Sequence, residues 1–272
     1  MPSNGKVLLA YCIEKSFEPG IISFVLEHIG EIHRKIGIRA TLFITGRALE
    51  SNFHDLIKFR GNKFFDFAGH SFNHIGLKPN LEDRGDGSAY IPASSIDEIE
   101  RDLKSFNELY FRIFEKKCLG FCSPRGFYRG FADRPDLLQI VRELGYKYLI
   151  TWTRNHNDWF PCLPDIQPFF YAQQGYPDIL EIPTHGWQDA GWVKVKRETI
   201  KDEFWLFQKK EIKKVLKSRE RVFGFALHDW VIYEEFKDNG AVEGFYKWVM
   251  ENNIEPVSYE DYYLIAKSKY AA

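Results

Sequence analysis

Short apolar runs along this chain alternate with longer stretches whose apolar residues recur every three or four positions. Val7-Leu8-Leu9-Ala10-Tyr11 reads as a buried strand. Further strands are predicted at Ala40–Ile44, closed by Thr45-Gly46, and at Phe64–Ala68, Leu119–Cys122, Tyr146–Thr151, Asp178–Ile182 and Val222–Leu227, with a last short one at Glu255–Val257. Between them, Ile22, Val25, Leu26, Ile29 and Ile32 fall on one face of a helix over Ile21–Ile36. A second helix starts at Ser95, with Glu98 completing a capping box, and runs through Leu103, Phe106, Leu109 and Tyr110. Others are predicted over Pro135–Leu144, with proline near its start, over Glu198–Lys217 and Val242–Glu251, and after a Ser258 cap. Leu81–Pro92, rich in Asp, Gly and Arg, reads as an excursion loop, and Trp152–Pro177 as a long irregular region.

Apolar strands alternating with amphipathic helices predict an α/β fold with a parallel sheet. The number of units, with no repeat or low-complexity linker between them, predicts one domain over residues 1–272: a distorted (β/α) barrel of seven to eight parallel strands. In such barrels the chemistry sits at the C-terminal ends of the strands. The residues just past the predicted strands include Cys12, Glu14, His70, His74, Cys122, Pro124, Asn155, Asp158, His185, His228 and Asp229.

Composition narrows the function. A net charge of -1 with interspersed signs argues against nucleic acid or an anionic membrane surface as partner. No apolar run approaches a membrane span. The apolar stretch Val7–Ile13 is too short and too poorly flanked for a secretion signal, so a reducing cytoplasm is the expected compartment. The four cysteines, Cys12, Cys118, Cys122 and Cys162, form no CxxC pair, which excludes a zinc ribbon. Aromatic residues are abundant at 17%; they either fill the core or, as Trp152, Trp159, Trp187, Trp192 and Trp230, line a sugar-binding cleft. His28, His33 and His54 fall on predicted helices and are expected to be solvated.

His70 and His74, four residues apart at the exit of a buried strand, can point at one metal ion. The alternative is a pair of hydrogen-bonded loop histidines. His228 follows an apolar strand, with Asp229 beside it as a carboxylate that would orient the ring and raise its pKa; the alternative is a capping or packing histidine.

Taken in order, these strand-end segments resemble the polysaccharide deacetylase, or NodB-homology, family over roughly Val7 to His228. Ala40-Thr41-Leu42-Phe43-Ile44-Thr45-Gly46 is similar to the family's second strand. His70-Ser71-Phe72-Asn73-His74 is similar to its H-[ST]-x-x-H metal motif, and Gly120-Phe121-Cys122-Ser123-Pro124-Arg125-Gly126 to its R-x-P-x-G motif. Asn157-Asp158-Trp159 and Ala226-Leu227-His228-Asp229 are similar to its later motifs. The resemblance implies metal-assisted hydrolysis of an N-acyl group, acetyl above all, on a sugar, with surface polysaccharide or O-antigen synthesis as a setting. It implies a divalent ion, zinc first, with nickel or cobalt as alternatives, held by Glu14, His70 and His74. It implies His228 as the acid, Asp158 as a further catalytic candidate, and Pro124, Arg125 and Trp159 on the substrate side, where His185, by its place after a strand, is a further cleft candidate. An N-acylated sugar or glycan precursor is the expected partner.

Two positions depart from the family pattern. Cys12 stands where the first motif carries the base Asp, and Cys122 where the third carries the Arg that steadies it. Losing one member of a buried ion pair strands a charge at about 3–5 kcal/mol, whereas losing both leaves two neutral groups. The paired change therefore reads as a rebuilt site. Cys12 is then a packed thiol, a further metal ligand or a weak base, and a Cys12–Cys122 disulfide is conceivable but disfavoured in a reducing compartment. Arg125 is either a substitute for the missing charge or a surface residue. The alternative to an enzyme is a catalytically inactive protein of the same fold that binds a glycan or a partner protein. Hydrolysis of a cyclic amide or ureide, as in allantoinase-like relatives, is a third reading.

Overall fold

The computed structural model describes residues 5–15, 18, 20–83, 88–196, 202–216, 221–236 and 240–270. Its strands are β1 (Lys6–Ile13), β2 (Ala40–Ile44), β3 (Phe65–Gly69), β4 (Asn80–Asp83), β5 (Ser88–Ile91), β6 (Gly120–Phe127), β7 (Tyr148–Trp152), β8 (Phe169–Tyr171), β9 (Tyr176–Glu181), β10 (Val222–His228) and β11 (Glu255–Ser258). The helices are α1 (Ile21–Ile36), α2 (Gly46–Ser51), α3 (Phe53–Leu56), α4 (Ile96–Phe114), α5 (Pro135–Glu143), α6 (Asp189–Lys196), α7 (Asp202–Val215), α8 (Asp229–Val231), α9 (Ala241–Glu251) and α10 (Tyr259–Tyr270).

The main sheet runs β10-β1-β2-β3-β6-β7-β9-β8, with β11 also on β1. All its pairings are parallel except β8 on β9, which leaves eight parallel strands. One edge of β1 pairs along Lys6–Cys12 with β10; the other is shared, Lys6–Leu9 with β11 and Ala10–Ile13 with β2. A strand buried on both faces reads as an unbroken apolar run, and its alternate residues must serve two cores. In β1, Leu8, Ala10 and Cys12 join Phe43, Ala68, Cys122, Ile150, Ile182 and Ala226 in an inner cluster, to which α10 adds Tyr259 and Tyr263. Val7, Leu9, Tyr11 and Ile13 face the opposite way, into the larger cluster shared with the helices.

The ladder does not close among the described residues. Just past β9, the His185 backbone N–H donates to the Gly224 carbonyl at 2.9 Å, and the Gly224 N–H donates to His185 Nδ1 at 3.0 Å. A Cβ on Gly224 would lie 2.2 Å from the Pro183 carbonyl oxygen, so only glycine lets the two chains approach this closely. The expected distorted barrel is thus present, drawn together at one seam.

The Ser95–Glu98 capping box and the proline at the start of α5 are as predicted. Several details differ. The 81–92 excursion contains the antiparallel β4–β5 hairpin, and the irregular stretch contains β8. Helix α6 was not expected, and of the Glu198–Lys217 helix, 198–201 and 217 lie outside the described residues. His33 is not solvated. It is fully buried, with Nδ1 on the Ile38 carbonyl at 3.0 Å and Nε2 on the Tyr11 hydroxyl at 2.7 Å, and burial pulls its pKa down to about 4. His28 is half-buried and stacked on Phe24, and His54 is exposed as expected. No helix among the described residues is long and apolar enough to cross a membrane.

Candidate active site

The His70–His74 turn leaves β3 under tight backbone control. His70 N–H donates to the Ile44 carbonyl at 3.0 Å, while the Gly46 and Arg47 N–H groups at the start of α2 donate to the Ser71 and Phe72 carbonyls. A Cβ on Gly46 would lie 2.8 Å from Phe72 Cα, so this close contact also requires glycine. Ser71 and His74 both take positive φ. Beneath them, buried Asp102 of α4 accepts from Phe72 N–H at 2.6 Å, Asn73 N–H at 2.9 Å and the Asn73 side-chain amide at 2.8 Å.

The turn brings the two imidazoles to Glu14, just past β1. Glu14 Oε2 lies 2.8 Å from His74 Nε2 and 3.7 Å from His70 Nε2, and Glu14 Oε1 accepts from the Trp230 indole at 3.0 Å. Burial opposes the charge on Glu14, but His70 and His74 hold its carboxyl well below the usual range. Burial likewise pulls His74 down, against the pull of Glu14. Burial opposes a charge on His70 too, yet Cys12 and Glu14 raise it to about 9, so an ion taking Nε2 must displace a proton there. His70 Nδ1 donates to the Cys122 carbonyl at 2.8 Å, which fixes the ring and turns Nε2 inward; that atom is buried with no hydrogen-bond partner. One carboxylate oxygen and two imidazole nitrogens within 4.8 Å of one another, one of them buried and orphaned, fit a divalent ion with open positions.

Across the cleft, His228 ends β10. Its Nδ1 lies 2.6 Å from Asp189 Oδ1, and its backbone N–H donates to Asp189 Oδ2 at 2.7 Å. Burial disfavours the imidazolium, but fully buried Asp189 outweighs it, with Cys12 and Glu14 adding to the effect, and the pKa rises to about 10. The expected partner, Asp229, does something else. Its Oδ2 accepts from the Glu14 and Lys15 N–H groups, each at 2.9 Å, and its Oδ1 from Trp230 N–H at 2.9 Å. Burial and nearby Glu14 push it up to about 6.

Cys12 and Cys122 are buried free thiols on the inner face of the sheet. The hydrogen bond to Cys122 and burial push the Cys12 thiol well above its usual range. It is therefore protonated at neutral pH, which argues against the weak-base reading.

Residues 12–149 match the family described as polysaccharide deacetylase. The chain belongs to the polysaccharide deacetylase family. No curated protein sequence matches it. Among solved structures, Puue allantoinase superposes with a TM-score of 0.70 at 12% identity, covering 97% of this chain and 91% of that one. BA3943 of Bacillus anthracis, a CE4 family pseudoenzyme, gives 0.57 at 16% identity over 96% of this chain and 66% of its own, so the chain spans about two-thirds of that protein. The peptidoglycan deacetylase PdaC of Bacillus subtilis gives 0.51 at 14% identity, covering 98% and 94%. At these identities the likeness is one of fold.

Within the cleft, Cys12, Glu14, His70, His74, Cys122, His228, Arg125 and Trp159 all line the wall. The other site expectations need correction. Asp158 is not on the wall: its Oδ2 accepts from Leu81 N–H at 3.2 Å and its carbonyl from Arg154 at 2.8 Å, so it ties the hairpin down. His185 is buried at the seam, bonded to the Ile166 carbonyl at 2.7 Å and to Gly224, and burial lowers it to about 4. Pro124 is buried within β6, behind the wall. Arg125, on the wall, has its guanidinium paired with Glu82 of β4. Of the five tryptophans, Trp159 lines the cleft and Trp230 holds Glu14, while Trp187 and Trp192 pack together, Trp192 also against Phe204, and Trp152 stands edge-on to Phe169. Residues not foreseen on the wall are Glu82, Arg154, Phe160 and Lys194. Asp189, which closes the segment following β9, was also missed; the strand-end rule would have reached it had that segment been read to its end.

Proposed function

We propose that this deacetylase-family chain is a metal-dependent hydrolase that removes an N-acyl group, acetyl in the first instance, from a sugar. The observation that carries this reading is the pairing, in one cleft, of a carboxylate–two-histidine set with an imidazole held cationic by Asp189. Glu14, His70 and His74 would hold the ion, zinc first. When bound, it supplies charge for the developing oxyanion and lowers the pKa of water. His228, kept as imidazolium by Asp189, donates a proton to the departing amine nitrogen. Trp230 and the Asp229 cap keep Glu14 from turning away. Trp159 and Phe160 offer apolar wall to a sugar ring.

The base is the weak point. Cys12 stands at its usual position, and Glu82, the other carboxylate on the wall, is neutralised by Arg125. Turnover is therefore expected to be slow. The protonated thiol favours a second reading, a non-catalytic glycan- or protein-binding member. BA3943 lends that reading precedent, and a BA3943 mutant is described as having restored enzymatic activity.

Acetate release from N-acetylated sugars and their nucleotide- or lipid-linked precursors, measured on metal-free and on zinc-, cobalt- or nickel-loaded protein, separates the two. Metal-dependent release supports the hydrolase. Absence of release with every ion, together with tight binding of the intact glycan, favours the binding protein.

A further inference from the structure

The inner wall of the cleft carries a second set of donor atoms. Cys12 Sγ, Cys122 Sγ and an imidazole nitrogen of His70 all lie within 4.8 Å of one another, and all three residues are buried. Cys12 is on β1 and Cys122 on β6, strands separated in the sheet by β2 and β3, so the sulfurs meet across the barrel interior rather than along a ladder. The Cys122 carbonyl takes up His70 Nδ1, which leaves Nε2, buried and without a hydrogen-bond partner, as the nitrogen of this ring free to ligate.

We propose that Cys12, Cys122 and His70 form a site for a thiophilic metal ion, distinct from the Glu14–His70–His74 position and mutually exclusive with it. Tetrahedral coordination by two sulfurs and one nitrogen, at bond lengths of about 2.0–2.3 Å, needs donor atoms roughly 3.5–3.8 Å apart, a small contraction of this arrangement. Thiolate with imidazole selects soft ions, and carboxylate with imidazole accepts harder ones. Exclusivity follows from His70, whose single Nε2 lone pair serves one ion at a time. Each thiol releases its proton to solvent as its sulfur ligates, and any proton on Nε2 leaves with them. Two thiolates cancel the charge of a divalent ion, so an ion held here polarises an acyl oxygen less than one on the carboxylate side. The site stands without the hydrolase reading; only this effect on turnover rests on it.

The test is titration of the reduced, metal-free full chain with Cd(II). A thiolate-to-cadmium charge-transfer band should saturate at a single equivalent, with a cadmium-113 resonance in the range of sulfur ligation. The band should persist in a Glu14→Gln/His74→Ala variant. In Cys12→Ser/Cys122→Ser it should vanish, with affinity falling by more than the roughly 10–100-fold that losing an outer-shell partner costs. Cadmium bound without the band, a resonance typical of oxygen and nitrogen ligands, a band that survives the double serine variant, or no binding at all would each overturn the site. The resonance is read on unmutated protein, so it tests the site whether or not the serine variant folds. Loss of hydrolysis in Glu14→Gln/His74→Ala with the band intact separates this site from the proposed activity.

Discussion

The two walls of the cleft were built under different rules. On one, Glu14, His70, His74, His228 and Asp189 form a polar set in which nearly every atom has a charged or hydrogen-bonded partner. On the other, Cys12 and Cys122 are small, buried free thiols, continuous with the apolar inner core. The polar wall survives only as a set, because removing any one member strands its buried neighbours. The thiol wall is neutral and can be altered in pairs without leaving a charge behind. On the proposed reading, the set that would hold an ion and protonate a leaving group can therefore persist while the position that accepts a proton changes.

The comparison breaks first at the ligands. Glu14→Gln or His74→Ala should abolish metal-dependent acetate release and weaken a hard divalent ion by more than roughly 100-fold, read by calorimetry and metal content. Because His70 is protonated up to about pH 9 without the ion, that affinity should climb as pH rises toward 9, by about tenfold per unit for the one proton displaced.

Asp189→Asn comes next. It removes the charge that does most to lift His228, so the imidazole pKa falls, with only Cys12 and Glu14 left to oppose burial. We expect kcat to fall about 10²–10⁴-fold. The alkaline limb, set near pH 10 in the parent, should move to acid. A profile that keeps its alkaline limb would remove His228 as the acid.

The thiol wall is tested by Cys12→Asp and Cys122→Arg. Each alone buries an unpaired charge and should cost about 3–5 kcal/mol in chemical denaturation. Together they should recover an interaction energy of about 0.5–3 kcal/mol and raise acetate release above either single variant. Strict additivity would mean that the two positions are independent. The smallest effect is expected at Asp102→Asn, which keeps the shape but loses acceptor charge beneath the histidine turn. It should lower stability by about 1–3 kcal/mol, seen as a reduced Tm.

Much of this was legible because strands buried on both faces have to be apolar throughout, and because barrel chemistry gathers at strand ends. Glu14, His70, His74 and His228 were found that way. What escaped had weaker local signals. The β4–β5 hairpin leaves Leu81 and Tyr90 exposed, so its Asp- and Gly-rich sequence carries no buried alternation and reads as loop. Helix α6 opens Asp189-Ala190-Gly191-Trp192, without a clean three-to-four repeat. His33 was misread because polarity was given priority over position: it falls four residues after Ile29, on the buried face of α1. Asp229 stands out as the partner of His228 because it adjoins it in sequence, a local signal that Asp189 lacks. At the end of β10, however, adjacent residues point in different directions, and the ring is met by a group from another loop.

Asp102 sits on a helix outside the sheet and does not line the cleft, yet its two oxygens receive the backbone of the very turn that spaces His70 and His74. The bite of the ligand pair is thus inherited from the outer ring of helices. A drift in α4 of a few tenths of an ångström, brought on by substitutions that never touch the cleft, would retune which ion radius the pair prefers. On the proposed reading, metal preference would be open to change from behind, through the scaffold, while every ligand stays the same.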